Sequence, residues 1–458
     1  MNTRINKVMF VILGSLMIFT NIVFAENSNS IDEDAKREME EGLKEAQREM
    51  AQAQEELKKM QQELATSKDM QGHAALGLEI AQTVMKNVQG AMGSQFGLSG
   101  MKMKQQFESI KQDFSGKEIA SETIEKTFKV KKEVVLNLDC QFSSIEIESW
   151  KNKSEVFIQV VKKVGAETKK EADKLLNEVE VKFENEEKEV SVEINIPGEN
   201  DRQNTVMYNS VKVKVPKGIS IDSKNTFGDV VITNVEGNID CETSFGSLCV
   251  KDSEGELNIN TEFSPTNIAN HKGKGDFECG GNLTIDGWEG NLDVSISMGE
   301  INICNVIGDI ACEGSLGSAN ISDSKGKLDM ESGFGTLNIK NHEGDGDIEF
   351  SNGELEINEW IGNMDIECSY GEVTIKRISK STEIDIEVAF GKLDMEMPED
   401  FNGEVDIETS FGSINVPKNF KKEKDMFCEE ASCKFGEGDG KIDIETSYSE
   451  VNISLEKN

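Results

Sequence analysis

Residues 244–263 read SFGSLCVKDSEGELNINTEF, and close variants of this phrase recur through the second half of the chain. The phrase contains Phe245 and ends on Phe263, which lies 18 residues further on. Between them, apolar and polar residues alternate in two short runs, 248–250 and 257–261. Alternation with a period of two is typical of a strand that has one buried face. Each phrase therefore predicts two short strands joined by tight turns.

The phrase repeats with a nearly constant period. Each repeat is marked by an anchor, the glycine that follows the aromatic position, with serine in its place at 264 and 449. The anchors stand at positions 228, 246, 264, 281, 299, 317, 335, 353, 371, 391, 412 and 449. A fixed period of about 18 residues indicates stacked coils, in which each apolar interior is completed only by the neighbouring coils.

The predicted fold is mainly β, a parallel β-solenoid of 18-residue two-strand coils. Coils stack about 4.8 Å apart, so twelve anchors predict a stack on the order of 55 Å long. The aromatic residue before each anchor is expected to stack on its counterparts along one inner corner, where glycine permits the tight turn. The insertion at 417–441 is expected to leave the body as a loop.

A longer repeat is superimposed on the first. The residue seven positions after each anchor runs Val-Ser-His-Trp twice: Val235, Ser253, His271, Trp288, Val306, Ser324, His342 and Trp360. This order indicates that a block of four coils was duplicated. Trp288 and Trp360 are expected to protrude from one edge about 19 Å apart, where they could stack on sugar rings or simply cover the corner. His271 and His342 share the column and are too far apart to bind one metal ion.

The beginning of the chain predicts an export signal and a helix. Residues 1–25 combine Arg4 and Lys7 with an apolar stretch that ends on Val-Phe-Ala, which is typical of a secretory signal peptide. An uncleaved anchor is the alternative, and no later segment is apolar enough to span a bilayer. Residues 26–70 predict a helical coiled-coil segment, because apolar residues within 35–64 recur in steps of three and four. This seam favours self-association, and a single amphipathic helix packed on the body is the alternative.

Two further regions connect this segment to the repeats. Residues 71–119 are rich in Gly and Met and predict a helical connector. Residues 120–225 contain alternating runs and one helical stretch, ETKKEADKLLNEV, and predict a β-rich capping domain. A solenoid needs such a cap because its first strands have unpaired edges. The β-solenoid repeats then occupy 226–458, with the insertion at 417–441.

The chain is strongly acidic. Asp and Glu number 86 against 49 Lys and Arg, a formal net charge of −37. Binding to nucleic acid or to an anionic membrane depends on basic residues that neutralise phosphates, so neither is an expected partner. We expect an exported protein, extracellular, periplasmic or at the cell surface, with an envelope protein or a glycan as its partner.

Much of this charge falls in two outward columns on the second strand of successive coils. The columns are Asp329, Asp347, Asp365, Asp385, Asp406 and Asp443, and Glu331, Glu349, Glu367, Glu387, Glu408 and Glu445. Like charges stacked about 4.8 Å apart repel by about 1 kcal/mol per pair in water. The columns could keep the surface soluble and prevent association of the sheets, or they could attract Ca²⁺ or a basic partner.

Calcium enters only as an alternative. The turns EGDGDIE at 343–349 and GEGDGKIDIE at 436–445 are similar to calcium β-roll turns but lack the full glycine-rich motif. The expectation is therefore no cofactor, with a calcium-responsive solenoid as the alternative.

Nine cysteines are scattered along the chain. Cys428 and Cys433 lie close together in the insertion and could form a disulfide. Cys241, Cys312 and Cys368 fall on inward positions, where cysteine packs as a small apolar residue.

Several phrases resemble one bacterial family. FSSIEIESW at 142–150, VKVKVPKGISI at 211–221, NTFGDVVI at 225–232 and the serial SFG and SYG turns are similar to the bacterial putative-adhesin β-solenoid family, catalogued largely as a domain of unknown function. The resemblance covers residues 125–458. It implies an exported or envelope-associated role without a known catalytic residue.

The leading interpretation is a non-catalytic exported or cell-envelope scaffold, adhesin-like, that presents an acidic β-solenoid surface. A polysaccharide-active β-helix enzyme is a further alternative, but such enzymes need a groove that collects acidic and basic residues, and these coils are short and regular. Three histidines in the whole chain argue against a Ser-His-Asp triad or a histidine-rich zinc site.

Overall fold

The computed structural model describes residues 114, 116–131, 134–151, 153–196, 205–297, 299–314, 317–333, 335–380 and 382–456. The predicted signal peptide, the heptads of 35–64 and nearly all of the 71–119 connector lie outside these ranges. The chain divides into two compact units. One includes residues 164–180, and the other consists mainly of residues 121–163, 181–195 and 208–456.

The first unit contains the helix that the capping region predicts. Helix α1 (Lys169–Glu178) begins after Thr168, whose hydroxyl accepts a hydrogen bond of 3.3 Å from the backbone N–H of Glu171. Its buried side chains, Ala172, Leu175 and Leu176, follow the three- and four-residue spacing of one helix face. None of the described helices is long and apolar enough to cross a membrane.

Eight strands precede the first anchor, Gly228, and a ninth follows it directly. They are β1 (Glu118–Lys129), β2 (Val135–Gln141), β3 (Ser143–Trp150), β4 (Glu155–Ala166), β5 (Glu180–Asn185), β6 (Glu189–Asn195), β7 (Val206–Pro216), β8 (Ser220–Thr226) and β9 (Val230–Thr233). β2 pairs in parallel with β6 and β8, and β3 pairs in parallel with β7 and β9. These strands therefore belong to the same sheets as the repeats.

The repeats contribute the remaining described strands. They are β10 (Ile239–Ser244), β11 (Leu248–Glu254), β12 (Leu257–Glu262), β13 (Thr266–Lys272), β14 (Gly275–Gly280), β15 (Leu283–Glu289), β16 (Leu292–Ile296), β17 (Glu300–Ile307), β18 (Ile310–Gly314), β19 (Ser318–Lys325), β20 (Leu328–Ser332), β21 (Gly335–Glu343), β22 (Gly346–Ile361), β23 (Met364–Ile378), β24 (Glu383–Met397), β25 (Gly403–Ser410), β26 (Ser413–Asn415), β27 (Lys421–Lys424), β28 (Cys428–Phe435), β29 (Gly440–Ser447) and β30 (Ser449–Leu455).

The 18-residue period of the sequence sets the register in which the strands pair. β10 pairs in parallel with β12, and β11 pairs in parallel with β13, so each coil adds one strand to each of two rows. Ile239 lies opposite Leu257, 18 residues later. Leu337, Leu355 and Val373 lie in adjacent layers. The predicted stack of parallel two-strand coils is therefore confirmed.

Burial follows the alternation within each strand. In β12, Leu257, Ile259 and Thr261 are buried, whereas Asn258 and Asn260 are exposed. Fully burying one Leu or Ile side chain contributes about 1.5–3 kcal/mol. A coil of 18 residues can bury its apolar side chains only against the coils above and below, so the stability of each coil depends on its neighbours.

The anchor glycine is needed because neighbouring coils approach closely at the aromatic corner. A Cβ atom on Gly246 would clash with the backbone carbonyl of Gly228 in the preceding coil. The residue before it, Phe245, adopts a left-handed conformation with φ of 59°, which turns the chain sharply between the two strands.

The last two coils stack in the reverse of their order in the sequence. β29 pairs in parallel with β24 on one side and with β25 on the other, so Asp443 lies between Asp385 and Asp406. β30 likewise pairs with both β24 and β26. The final coil of the chain is thus inserted between the coil of β24 and the coil of β25 and β26.

The insertion at 417–441 does not leave the body as a loop, so that expectation is wrong. β28 pairs antiparallel with β25, and β27 pairs antiparallel with β28, so the insertion forms a hairpin on the last coil of the stack. Glu429 is buried there, where it accepts a hydrogen bond of 2.9 Å from the backbone N–H of Ile414 and pairs with Lys422 at 2.7 Å. An antiparallel hairpin ends the series of parallel coils and covers an otherwise open edge.

The two cysteines of the insertion also differ from the expectation. Cys428 and Cys433 are free thiols on the single strand β28, where residues five positions apart point to opposite faces. The predicted disulfide between them is therefore wrong. Cys241, Cys312 and Cys368 are buried, as their inward positions predict.

Candidate functional site: an acidic face and an aromatic ladder

Trp288 and Trp360 do not protrude, so the prediction of exposed tryptophans is wrong. Their side chains lie in the interior, 2% and 1% exposed. The residue before each one is left-handed, with φ of 82° at Gly287 and 67° at Glu359. One left-handed residue interrupts the alternation of the strand, as in a β-bulge, and turns the next side chain inward. The position that a strict period of two assigns to the surface therefore belongs to the core.

A glycine in the preceding coil makes room for each indole. A Cβ atom on Gly275 would lie 2.7 Å from the Cη2 atom of Trp288, and one on Gly346 would clash with the same atom of Trp360. The next coil carries Leu292 opposite Gly275. The block duplication has therefore copied a compensating pair, one large and one small residue on facing sides of the core.

His271 and His342 are buried in the same interior column. The Ser253 hydroxyl donates to Nδ1 of His271 at 2.7 Å, and Nε2 of His271 donates to the carbonyl of Gly255 at 3.0 Å. The imidazole also stacks on Trp288, with ring centroids 4.3 Å apart. In the duplicated coil, the Ser324 hydroxyl contacts Nδ1 of His342 at 2.8 Å, and the imidazole lies against Trp360 with ring centroids 4.2 Å apart and the rings tilted by 41°. These Ser–His contacts are closed to solvent and serve packing.

Burial lowers the pKa of both His271 and His342 to about 4. Around His342, the charges of Asp345 and Glu343 act in the opposite direction, but burial outweighs them. Both imidazoles are therefore neutral in the folded protein at neutral pH.

We expect mild acid to destabilise the folded protein, because His271 and His342 are buried in their neutral forms. Because the pKa of each histidine is lower in the folded state than its usual 6.5, the unfolded chain binds protons more readily, and stability falls as the pH drops from 6.5 to 4. Each histidine accounts for up to about 3 kcal/mol over that range. Urea denaturation of the wild type and of His271→Gln/His342→Gln at several pH values measures the effect, and parallel pH curves for the two proteins would contradict it. Carboxylates with raised pKa values oppose the trend equally in both proteins.

The two acidic columns form in register. Asp347 lies between Asp329 and Asp365, and the glutamates two residues further along the strand align in the same way. The order in the stack is Asp329, Asp347, Asp365, Asp385, Asp443, Asp406, with Glu331, Glu349, Glu367, Glu387, Glu445, Glu408 beside it. We call these twelve residues the acidic face. The hairpin extends the glutamate column, because Glu430 lies opposite Glu408, an addition that the repeat pattern does not indicate.

Among the described residues, two lysines form ion pairs with the acidic face. Lys327 contacts Asp329 at 3.3 Å, and Lys441 contacts Asp443. Exposed pairs of this kind contribute little to stability. Most of the carboxylates therefore face solvent without a paired cation.

Mutual repulsion is visible in the pKa values. The charge of Glu367 is the largest cause of the raised pKa of Glu349. Burial, followed by the charges of Asp347 and Asp385, raises the pKa of Asp365. The acidic face thus holds like charges together in a fixed array, which a cationic partner would stabilise.

The described part of the chain holds no group of three or more His, Cys, Asp or Glu side chains that could bind a metal ion. Neighbouring carboxylates project side by side from one sheet, whereas Ca²⁺ takes six to eight oxygens that converge on one point. The calcium-responsive alternative stays a prediction.

Aromatic residues do stack on one another at the corner between the two rows of strands, but they are half-buried near the start of the repeats and exposed near the end, so the prediction of an inner corner is wrong. Near the start of the repeats, Phe142, Phe227, Phe245 and Phe263 stack with centroids 4.9–5.4 Å apart. Near the end, a second set consists of Tyr370, Phe390, Tyr448 and Phe411, which stack at 5.0–5.1 Å, and Phe427, which continues the series at 5.2 Å with its ring tilted by 43°. We call the second set the C-terminal aromatic ladder, and its side chains are 42–57% exposed. Stacking between coils explains the aromatic repeat without burial in the core.

Residues 136–454 match the protein family described as Toastrack DUF4097. One solved structure, of a putative cell adhesion protein from Clostridium sporogenes ATCC 15579, is 14% identical, with 73% of this chain and 100% of that chain covered and a TM-score of 0.14. Another, of a putative adhesin from Parabacteroides distasonis ATCC 8503, is also 14% identical, with 58% and 97% covered and a TM-score of 0.20. No curated protein matches this chain. The family match spans both the repeats and the strands that precede them.

Proposed function

Because the chain belongs to the Toastrack DUF4097 family, we propose that it is an exported or cell-envelope, adhesin-like scaffold that attaches to a cationic partner through its acidic face. The family resemblance that its phrases indicated is confirmed by the match over 136–454. Export is supported by the signal-peptide pattern of residues 1–25.

The observation that carries the proposal is the difference between the two rows of strands. One row presents the acidic face over six coils in unbroken register. On the other row the corresponding outward residues include a neutral ladder, in which Asn338 donates to Asn320 and Asn320 donates to Asn302, each at 2.9 Å. Further along the same row the aligned residues change in character, from Asn338 to Glu356, Thr374 and Asp394. Charge needed only for solubility would not have to be aligned in two unbroken columns, so the alignment on one row supports a surface for recognition.

The arrangement of the Ser–His pairs and of the acidic face supports a non-catalytic role. The two Ser–His pairs are buried against tryptophan, and the carboxylates lie in flat columns instead of a groove that combines acidic and basic groups. A rigid repeating surface with regularly spaced charges is suited to multivalent attachment.

The test is adsorption of the purified, fluorescently labelled protein to washed cells of the producing strain. The variant Glu349→Gln/Glu367→Gln/Glu387→Gln removes three charges from the acidic face, and Glu254→Gln/Glu289→Gln/Glu343→Gln removes three exposed charges elsewhere. We expect several-fold weaker adsorption for the first variant, wild-type adsorption for the second, and weakening of wild-type adsorption by salt. Equal adsorption of all three proteins would overturn the proposal.

A further inference from the structure

The C-terminal aromatic ladder is an exposed apolar stripe that is bordered by acidic residues. Tyr370, Phe390, Phe411 and Tyr448 each follow a glutamate of the acidic face by three residues, namely Glu367, Glu387, Glu408 and Glu445. On the other side, the residues two positions after the four rings are, in stack order, Glu372, Lys392, Glu450 and Ser413, and Lys392 pairs with Asp394 at 2.6 Å. Met426, next to Phe427 on the hairpin, prolongs the apolar stripe and is 81% exposed. A contiguous exposed apolar feature of this kind marks an interaction surface.

The geometry of the rings disfavours a ligand that stacks on aromatic faces, such as a sugar. Tyr370, Phe390, Tyr448 and Phe411 are stacked within 6–9° of parallel, so the faces of the inner rings are covered by their neighbours. Stacking on a sugar ring needs an open aromatic face. What the ladder offers instead is a row of ring edges about 5 Å apart, which forms an apolar strip.

The spacing fits an α-helix. The rings recur every 5.0–5.2 Å along the stack, close to the helical pitch of about 5.4 Å. Over the five rings, about 20 Å or roughly four helical turns, the mismatch accumulates to only about 1 Å. A helix lying along the ladder would therefore place one apolar side chain per turn near the gap between successive rings. Amphipathic helices that bind apolar grooves use the same spacing of apolar anchors.

The charges beside the ladder determine which residues can flank the apolar face of that helix. The acidic face borders one side of the stripe throughout, and Glu372 and Glu450 outnumber Lys392 on the other side, so the charge favours Lys or Arg beside the apolar face of the partner. A second copy of this chain is disfavoured, because its net charge is −37 and its own ladder carries the same acidic flanks. The heptad segment 35–64 of the same chain is also disfavoured, since it holds eight acidic and six basic residues.

We propose that the C-terminal aromatic ladder and its glutamate flanks bind a basic amphipathic helix of a partner protein, along the stack and across the coils of β23, β24, β30 and β26. This inference rests on the proposed function, because it assigns the cationic partner of the acidic face a helical form and a place. The acidic columns supply long-range attraction, and the aromatic stripe supplies short-range selection.

The test uses the full protein and three synthetic peptides of about 18 residues, enough for five helical turns. The first has Leu on one helical face with Lys on both sides, the second is a scrambled sequence of the same composition, and the third keeps the Leu face but carries Glu flanks. Fluorescence anisotropy measures the affinities. We expect the first peptide to bind at least tenfold more tightly than either control.

Two variants locate the binding. Phe390→Gln/Phe411→Gln is expected to lower the affinity for the first peptide at least tenfold, whereas Phe227→Gln/Phe245→Gln, the matched change in the other aromatic ladder, should leave it unchanged. Should the first variant prove unstable by circular dichroism, Glu387→Gln/Glu408→Gln tests the flanks without touching the rings, again with at least a tenfold loss expected.

The outcomes separate this inference from the proposed function. Equal binding of the ordered and scrambled Lys peptides would overturn the helix site while leaving attachment by the acidic face intact. Displacement of the first peptide by soluble envelope glycans at the ladder would overturn it in favour of a carbohydrate site. Loss of cell adsorption only in the acidic-face variant, with peptide binding unaffected by ladder changes, would likewise refute the ladder and retain the scaffold.

Discussion

Replacing Trp360 by Val is expected to destabilise the solenoid by about 3 kcal/mol, and adding Gly346→Leu should recover most of that loss. The indole of Trp360 lies over Gly346, so Val leaves a cavity there. Gly346→Leu alone should also be destabilising, because even a Cβ at this position meets the indole. The double variant reproduces the natural combination of Val306 with Leu292 in another coil. Urea denaturation followed by circular dichroism measures all four proteins as a double-mutant cycle.

The duplicated block provides the matched control. Trp288→Val with Gly275→Leu should give the same pattern, since Trp288 lies over Gly275 in the same way. Additive effects of the two substitutions in both blocks would contradict the compensation, because independent sites add and contacting sites do not. If Trp360→Val had no effect on stability, the interior position of the indole would itself be wrong.

Ile444→Asp is expected to unfold the whole C-terminal end of the repeats, at a cost of at least about 3 kcal/mol. Ile444 is 1% exposed and lies between Ile386 of β24 and Ile407 of β25. A carboxylate at this central position disrupts the coils on both sides. Hydrogen exchange should therefore show lost protection in 403–435 as well as in 440–455.

The extent of the lost protection tests the reversed order of the coils. If the coils stacked in the order of the sequence, Ile444 would lie in the terminal coil, and residues 403–415 would stay protected in Ile444→Asp. Ser454→Asp is the matched control, because it adds the same charge at an exposed position of the same coil. It should leave hydrogen exchange throughout the repeats unchanged.

Most of the repeat architecture could be predicted from the sequence, because a fixed spacing of anchors directly states which residues share a layer. The prediction that Leu337, Leu355 and Val373 occupy adjacent layers needs only counting in steps of 18. The columns of the acidic face follow from the same counting, and the register confirms them. The family resemblance implies an export-associated role, which stays a prediction, and it indicates no site.

Three features could not be predicted from the spacing of the repeat. The inward turn of Trp288 comes from the left-handed Gly287, and a period of two in the sequence does not report the backbone conformation of one residue. The exposed ring edges of the C-terminal aromatic ladder depend on which side of the corner faces solvent. The hairpin of β27 and β28 lacks the repeat pattern altogether, so nothing in its spacing indicated a strand partner.

By itself, the sequence determined the period of the coil, the residues that form its interior, the position of the carboxylates in columns and the sign of the surface charge. These properties are local and periodic, and the same backbone hydrogen bonds repeat them in every layer. Only the tertiary structure decided that the last coil is inserted beneath its predecessor and that the aromatic rings form an outer stripe beside the acidic face. Both depend on contacts between segments far apart in the chain, and near-identical coils can stack in either order without any change in their individual patterns.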